Sequence, residues 1–361
     1  MKCIIGDKWL RVKGYWLMVI GLILIAGCSS DGTGTGEQRM GSPLLVTTYT
    51  ANYQNSNPSM RAVSAGYTEY TPDHDLAMGL FVLPSGSTSG SPTANPVRYS
   101  AGDWHSQATV EIGTNYKIFG YMPMNNSISP NISQSGSAYL LSLSDIDAVI
   151  ADDVCFVTGV KDGTKDGAGD LLQGKFDYEG KSDGNHVCLL MDHLYAALKI
   201  QFSVDPDYSA LRIIKLKSMT LTTTKATVNA TITLTPNNTG ADPVTDIDYD
   251  LIGSAASATF FESTAGVNLV PSTEEEVAAK AEVSNSFCCF APGLSNVLSL
   301  VCTYDVYDRY GNKICERTAT NTLPNLGAVR GQFVTLNLTI APTYLGLLSD
   351  KDLDNPEFTV D

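Results

Sequence analysis

Apolar and polar residues alternate along much of the chain with the two-residue period of a half-buried β-strand. The alternation is most regular in three distant stretches, 194–204, 228–234 and 334–340. Other runs rich in β-branched and aromatic residues predict further strands. They cover 44–53, 76–83, 108–112, 116–122, 149–157, 211–221, 257–261, 298–307 and 313–320. Turn residues at 113–115 and 308–312 predict two β-hairpins, 108–122 and 298–320.

Many short strands with very little helix predict an all-β protein built from β-sandwiches. The one helix that the sequence predicts is 272–282, with a Ser/Thr start, acidic residues in its first turn and then alanines. The length of 361 residues favours two domains. Because Asp205–Asp207 interrupts the strand pattern, we expect an N-terminal β-sandwich at 43–205 and a C-terminal one at 206–361, which ends in an acidic tail.

The N-terminus has the pattern of an export signal. Basic residues precede a short apolar run, Leu17–Gly27, which is well below the roughly 20 residues that span a bilayer. Cys28 follows an Ile-Ala-Gly triplet, and this arrangement resembles a bacterial lipobox. The resemblance implies a signal peptide at 1–27, cleavage between Gly27 and Cys28, and a lipid such as palmitate on Cys28. The alternative is an ordinary signal peptide in which Cys28 has no role.

Composition after the signal suits an exported β protein. Residues 28–42 are rich in Gly, Ser and Thr and predict a flexible tether. The chain has 38 acidic and 23 basic residues, a net charge of −15, which argues against a nucleic-acid partner.

Cysteine usage leaves two alternatives open. Cys3 departs with the signal and Cys28 is the lipid site, so six cysteines remain, Cys155, Cys188, Cys288, Cys289, Cys302 and Cys315. In an oxidising compartment they have fifteen possible pairings, but a chain of this length does not need disulfides to fold. Buried thiols are slightly favoured over disulfides. The absence of a CxxC gives little support to a zinc or thiol-redox site.

No motif predicts catalysis, so the sequence favours a protein that is not an enzyme and has no catalytic residues, metal or cofactor. The segment 169–176 nearly spells a phosphate-binding loop, but Phe176 stands where Ser or Thr should hold magnesium. Acidic stretches at 162–173 and 350–355 each lack required ligands of a calcium loop. The four histidines, His74, His105, His186 and His193, have no metal-site spacing. His193, beside a core strand, is predicted to be a hydrogen-bonded structural residue, with the role of a metal ligand as the less favoured alternative.

Several stretches, taken in order, resemble the fimbrillin family, the two-domain pilins and related surface lipoproteins of Bacteroides-type bacteria. These stretches are Cys28 with its lipobox, Met60–Ala62, Trp104, Tyr116–Pro123, Asp192–Val204 and Pro342–Pro356. They span nearly the whole chain after the signal, and none is a catalytic signature.

The resemblance implies two tandem transthyretin-like β-sandwiches with Greek-key topology and transport to the outer membrane as a lipoprotein. It also implies that an Arg-specific protease cuts between Arg61 and Ala62, which removes the first strand with its lipid. The vacated groove then accepts a strand from another pilin subunit, of the same or a different kind. In the alternative Arg61 is an ordinary loop residue and the lipid stays on, as in anchor subunits. A cut at Arg39, in the tether, would free the protein without opening a groove.

Three functions follow from these observations. The first is a structural subunit of a surface fimbria that contributes to cell adhesion, with the stalk, tip and anchor roles left open. The second is a non-polymerising outer-membrane lipoprotein that binds a glycan or another host or bacterial surface ligand. Aromatic side chains clustered on one face would favour it, and the candidates are Tyr67, Tyr70, Tyr99 and Trp104. The third, a secreted hydrolase on a β-sandwich, has the least support.

Overall fold

The protein is all-β, as the sequence predicts. The computed structural model describes residues 41–55, 66–86, 92–163, 173–269, 287–293, 297–323, 326–342, 354 and 356–360. In these ranges the one helix is a single turn, α1 (Pro206–Ser209). Among the described residues, no helix has the length and apolar character needed to cross a membrane. The helix predicted at 272–282 lies outside them.

Fifteen strands precede α1. They are β1 (Ser42–Ala51), β2 (Gln54–Asn55), β3 (Tyr67–Glu69), β4 (Leu76–Pro84), β5 (Asn95–Ser100), β6 (Asp103–Ser106), β7 (Thr109–Val110), β8 (Asn115–Met122), β9 (Ser129–Ser135), β10 (Ala138–Asp147), β11 (Val149–Ile150), β12 (Cys155–Asp162), β13 (Asp177–Glu179), β14 (Asn185–His193) and β15 (Ala196–Val204).

Nine strands of the described chain follow α1. They are β16 (Arg212–Thr223), β17 (Thr227–Leu234), β18 (Val244–Ile252), β19 (Ala256–Asn268), β20 (Phe287–Phe290), β21 (Leu298–Asp308), β22 (Lys313–Thr322), β23 (Gln332–Pro342) and β24 (Pro356–Val360).

The first of two main cores is covered by a ten-stranded sheet and a four-stranded sheet. The larger sheet runs β12-β14-β1-β6-β5-β4-β8-β13, with β3 and β7 also paired to β1, and the smaller runs β18-β17-β10-β9. Alternation explains the packing, because every second residue of β17 is fully buried and the residues between them are half-buried. The buried aromatics of this core include Phe119, Phe156 and Phe176.

The second main core lies between a six-stranded sheet and another four-stranded sheet. The first runs β11-β20-β15-β23-β2, with β24 on β23, and the second runs β19-β16-β21-β22. The predicted alternation of β15 is confirmed at residues 200–203. Ile200 and Phe202 are buried, whereas Gln201 and Ser203 are exposed. The parallel pairing of β15 with β23 joins two of the three stretches in which alternation is most regular.

Both cores take strands from either side of residue 205. Strand β17 pairs with β10, with β18 and β9 on the outer sides of this pair, around the first core, while β15 contributes to the second. The division into 43–205 and 206–361 stays a prediction.

One predicted hairpin is correct and the other is wrong. Strands β21 and β22 pair antiparallel around a turn in which Asp308 accepts hydrogen bonds from the backbone N–H groups of Tyr310 and Asn312. In the region 108–122, by contrast, β7 pairs with β1, and β8 pairs with β4, β12 and β13. The backbone N–H of Gly113 donates to the carbonyl of Gly180, and the turn does not join β7 and β8 into a hairpin.

Candidate functional site

The first strand, β1, is paired along both of its edges. On one side Leu44–Thr50 runs parallel to Asn185–Met191 of β14. On the other side β1 pairs antiparallel with β3, β6 and β7. A strand in this position is part of the interior of the sheet, so its loss would leave two rows of backbone hydrogen-bonding groups without partners.

Side chains of β1 alternate between two environments. Leu44, 0% exposed, and Val46, 6% exposed, enter the first core, whereas Leu45 between them is 55% exposed. Thr48 is buried, and its hydroxyl donates to the carbonyl of Tyr70. On the opposite face Tyr49 packs with Cys188 and Leu190 in a small third cluster.

The chain just after β1 closes over a buried polar cluster. The ring of Tyr53 stacks on His193 with centroids 3.6 Å apart, and its hydroxyl donates to Asp153 Oδ1 at 2.6 Å. The same hydroxyl lies 3.2 Å from Cys289 Sγ. The carbonyl of Ala51, the last residue of β1, accepts a 2.5 Å hydrogen bond from His193 Nε2.

Beneath Tyr53, His193 and Asp153 form a buried ion pair. His193 Nδ1 lies 2.8 Å from Asp153 Oδ2 and 3.0 Å from Oδ1. Burial alone would raise the pKa of Asp153, but the charge of His193 and hydrogen bonds from His193 and Tyr53 outweigh it and hold that pKa below its usual value. Burial would likewise lower the pKa of His193, and Asp153 raises it above the usual value.

Two thiols complete this cluster. Cys155 Sγ lies 3.5 Å from His193 Nδ1, and Cys289 Sγ lies 4.0 Å from Asp153 Oδ1. Burial raises the pKa of both thiols well above the usual value, and the charge of Asp153 adds to it. The six cysteines predicted to remain after processing are all free thiols in the described chain, and only Cys315 is not fully buried.

The predicted processing residues cannot be placed against this geometry. Gly27, Cys28, Arg39, Arg61 and Ala62 lie outside the described residues. In the sequence, Arg61 falls between Asn55, at the end of β2, and Gly66, just before β3. The lipid site and the cleavage site therefore stay predictions.

A pocket of about 310 Å³ lies beside β1 and contains three of the four predicted aromatics. Tyr70, Tyr99 and Trp104 line it together with residues 45–48 of β1, and the rings of Tyr99 and Trp104 are 5.2 Å apart. Within the described chain the indole N–H of Trp104 has no hydrogen-bond partner. Tyr67 is not among the lining residues, and its hydroxyl donates to Asp192.

Two other motifs have structural roles where the structure describes them. Phe176, from the segment that resembles a phosphate-binding loop, is fully buried against Phe119. Of the two acidic stretches, Asp162 pairs with Lys181 and Asp354 pairs with Arg212. The other acidic residues of these stretches lie outside the described part of the chain.

Sequence reasoning found His193 but missed the cluster around it. The predicted hydrogen bonding of His193 is confirmed by its contacts with Asp153 and Ala51. Cys155 and Cys289 are far apart in sequence, so no spacing motif joins them. The one local signal is Asp153 two residues before Cys155 at the start of a strand.

Comparison with known proteins returns solved structures that are similar at low sequence identity. A fimbrial protein from Bacteroides vulgatus is 12% identical, with 87% of this chain and 98% of that chain covered at a TM-score of 0.37. A protein from Bacteroides ovatus, named as a proposed cell adhesion protein, is 10% identical, with 89% and 96% covered at 0.39. The fimbrial anchor protein of Porphyromonas gingivalis is 10% identical, with 88% and 95% covered at 0.24. No protein-family model and no curated protein matches the sequence.

Proposed function

We propose that the protein is a structural subunit of a surface fimbria, exported as a lipoprotein, assembled by donor-strand addition and active in cell adhesion. The observation that carries the proposal is the position of β1. This strand is paired on both edges, has Leu44 and Val46 in the core, and precedes a sequence segment that contains a single arginine, Arg61.

Removal of β1 would create a site for another strand. The backbone groups of β14 that now pair with Leu44–Thr50 would lose their partners, and the space around Leu44 and Val46 would become an apolar groove. A strand from a neighbouring subunit satisfies both needs at once, because it supplies backbone hydrogen bonds and alternate apolar side chains. The other subunits of the fimbria are therefore the main partners.

Before cleavage, the same segment would carry the lipid. Acylation of Cys28 would hold the subunit at the outer membrane. Cleavage by an Arg-specific protease would then remove the lipid and β1 together from the rest of the subunit. In this proposal the fold is a pair of tandem transthyretin-like sandwiches with Greek-key topology. The two main cores, each covered by two sheets, support that arrangement. The protein would have no catalytic function.

N-terminal sequencing of the protein isolated from the cell surface tests the proposal. We expect a mature start at Ala62, and we expect Arg61→Ala to retain the lipid and fail to polymerise. Arg39→Ala is the matched control, because it removes the other candidate cleavage site without affecting the cut that opens the groove. Acylated Cys28 on every surface molecule of the wild type would contradict cleavage at Arg61.

The pocket beside β1 favours a second function, a lipid-anchored lipoprotein that binds a glycan. Aromatic faces from Tyr70, Tyr99 and Trp104 combine there with the polar side chains of Glu69 and Asp103. Sugars bind to such sites through stacking and hydrogen bonds. Because residues 45–48 of β1 form part of the lining, this function requires β1 to stay in place.

A further inference from the structure

Four potential metal ligands from three parts of the chain lie close together beneath Tyr53. Asp153 precedes β12, Cys155 begins β12, His193 ends β14 and Cys289 lies in β20. All four are buried, with exposed fractions of 7% or less. We propose that Asp153, Cys155, His193 and Cys289 form a metal site of the zinc type, closed to solvent by Tyr53.

Asp153, Cys155 and His193 lie close enough together to share one tetrahedral ion, and Cys289 lies beside them as the fourth ligand, which must move slightly closer. Zinc bonds of about 2.0–2.3 Å place neighbouring ligand atoms about 3.3–3.8 Å apart. Cys155 Sγ lies 3.5 Å from His193 Nδ1, and Cys289 Sγ lies 4.0 Å from Asp153 Oδ1. A carboxylate oxygen of Asp153, Cys155 Sγ and a ring nitrogen of His193 all lie within 4.8 Å of one another. The 2.8 Å separation of His193 Nδ1 from Asp153 Oδ2 must widen by about half an ångström to admit the ion.

Surrounding hydrogen bonds orient these ligands as the outer contacts of protein zinc sites do. Histidine ligands usually donate their second ring N–H to a carbonyl or carboxylate, and ligating carboxylates are themselves hydrogen-bonded. Here His193 Nε2 donates to the carbonyl of Ala51, which leaves Nδ1 directed at Asp153, and the hydroxyl of Tyr53 donates to Asp153 Oδ1.

Protons and the metal ion are alternative occupants of the cluster. Without metal, His193 Nδ1 needs a proton to face the carboxylate, and both cysteines are thiols. Binding of one zinc(II) ion replaces that imidazolium proton and the two thiol protons, which go to solvent. Two thiolates and one carboxylate then surround the ion with three negative charges, and neutral imidazole is the fourth ligand.

Other buried cysteines of the described chain do not have this environment. Cys302 is 2% exposed and packs among apolar side chains of the second core. Such a residue is an ordinary small core side chain. Cys302 therefore provides a matched control, because it has similar burial and the same chemistry but lacks the histidine and carboxylate.

Metal titration of the full chain, purified with reduced thiols, tests the site. With zinc(II) we expect one ion per chain by elemental analysis, and with cobalt(II) the visible bands of a tetrahedral ion together with a thiolate charge-transfer band. Cys155→Ser and Cys289→Ser should lose the charge-transfer band in part and fall below stoichiometric zinc, whereas Cys302→Ser should match the wild type. Tyr53→Phe, which removes a hydrogen bond to a ligand, should weaken affinity by about tenfold.

Folding of the variants is followed separately. Circular dichroism establishes that each variant is folded, and zinc should raise the unfolding temperature of the wild type and of Cys302→Ser more than that of the ligand variants. If a serine variant does not fold, His193→Gln takes its place. Zinc binding that is substoichiometric in the wild type, or unchanged in the ligand variants, would overturn the proposal. So would a disulfide between Cys155 and Cys289 in the exported protein, detected by mass spectrometry.

The site does not depend on fimbrial assembly, since its four ligands follow Arg61 in the sequence. One consequence does rest on the proposed function. Ala51 and Tyr53 precede Arg61, so cleavage there would remove the lid and the hydrogen bonds that orient His193 and Asp153. Metal affinity should then fall by about 10–100-fold in the cleaved protein. Stoichiometric binding in the uncleaved chain would uphold the site even if cleavage at Arg61 is never observed.

Discussion

Trp104 is the residue that best separates the two candidate functions. Its indole N–H is buried beside the aromatic pocket and has no partner among the described residues. An unsatisfied buried donor costs about 1–3 kcal/mol, so its presence needs a compensating role. A hydroxyl of a bound sugar would supply the missing acceptor once the indole ring turned its N–H toward the pocket, whereas a purely structural tryptophan gains nothing from the N–H.

Replacement of Trp104 by Phe makes this difference measurable. We expect Trp104→Phe to change the free energy of unfolding by about 1 kcal/mol or less, because the lost packing is offset by removal of the unpaired donor. If the pocket binds glycans, affinity should fall by about tenfold for the lost hydrogen bond. Tyr67→Phe is the control, because its hydroxyl bonds Asp192 and lies outside the pocket. Unchanged glycan affinity in Trp104→Phe would remove the main support for the second function.

At this scale the sequence predicts individual side chains better than their neighbours. The hydrogen-bonded His193 was predictable because an imidazole beside a buried strand needs polar partners. The proximity of His193 to Cys155 and Cys289 was not predictable. The sheet pairings that bring β12, β14 and β20 together do not produce any recognisable spacing of residues in the sequence. The same holds for the stacking of Tyr53 on His193.

Among the elements, β1 carries most of the functional argument. Its composition predicts a strand, and Leu44, Val46 and Thr48 are buried on one face as a period of two requires. The parallel pairing with β14 could not be predicted, because alternation specifies which face is buried and leaves the neighbouring strand undetermined. The hairpin predicted for 108–122 is wrong for the same reason, because the pattern of the two strands does not specify which strands they pair with.

Adjacent leucines of β1 give a test of how strongly the strand is held. Leu44→Ala should destabilise the uncleaved protein by about 2–5 kcal/mol, because it empties a fully buried site. Leu45→Ala, at a position that is 55% exposed, should change stability by no more than about 0.5 kcal/mol. Denaturant unfolding measures both. Equal effects of the two substitutions would show that β1 is not docked in the observed register.

On the scale of the whole molecule, the two main cores share strands across residue 205. Strand order along the chain suggested two successive sandwiches, yet β17 and β18 cover the first core and β15 contributes to the second. Alternating patterns identify which strands are half-buried, but the cost of closing long loops is small enough that distant strands can pair. The all-β class was therefore predictable, whereas the allocation of strands to each core was not.

A chain that begins at Ala62 isolates the proposed assembly-competent state. Without β1, the unpaired edges of β14 and β6 and the groove around Leu44 should make the protein associate, because exposed edges pair with other strands. A synthetic peptide of residues 42–55 should compete for the groove and return the protein to the monomer. Light scattering and gel filtration measure this change.

Specificity of that rescue depends on the buried face of the peptide. A peptide with Asp at positions 44, 46 and 48 places charges where the first core accepts apolar or paired groups, so it should not restore the monomer. A peptide changed only at Leu45 should act like the natural sequence, because that side chain is exposed. If both variant peptides work equally well, the association arises from a surface other than the groove of β1. A chain from Ala62 that stays monomeric without any peptide would contradict strand addition at this groove.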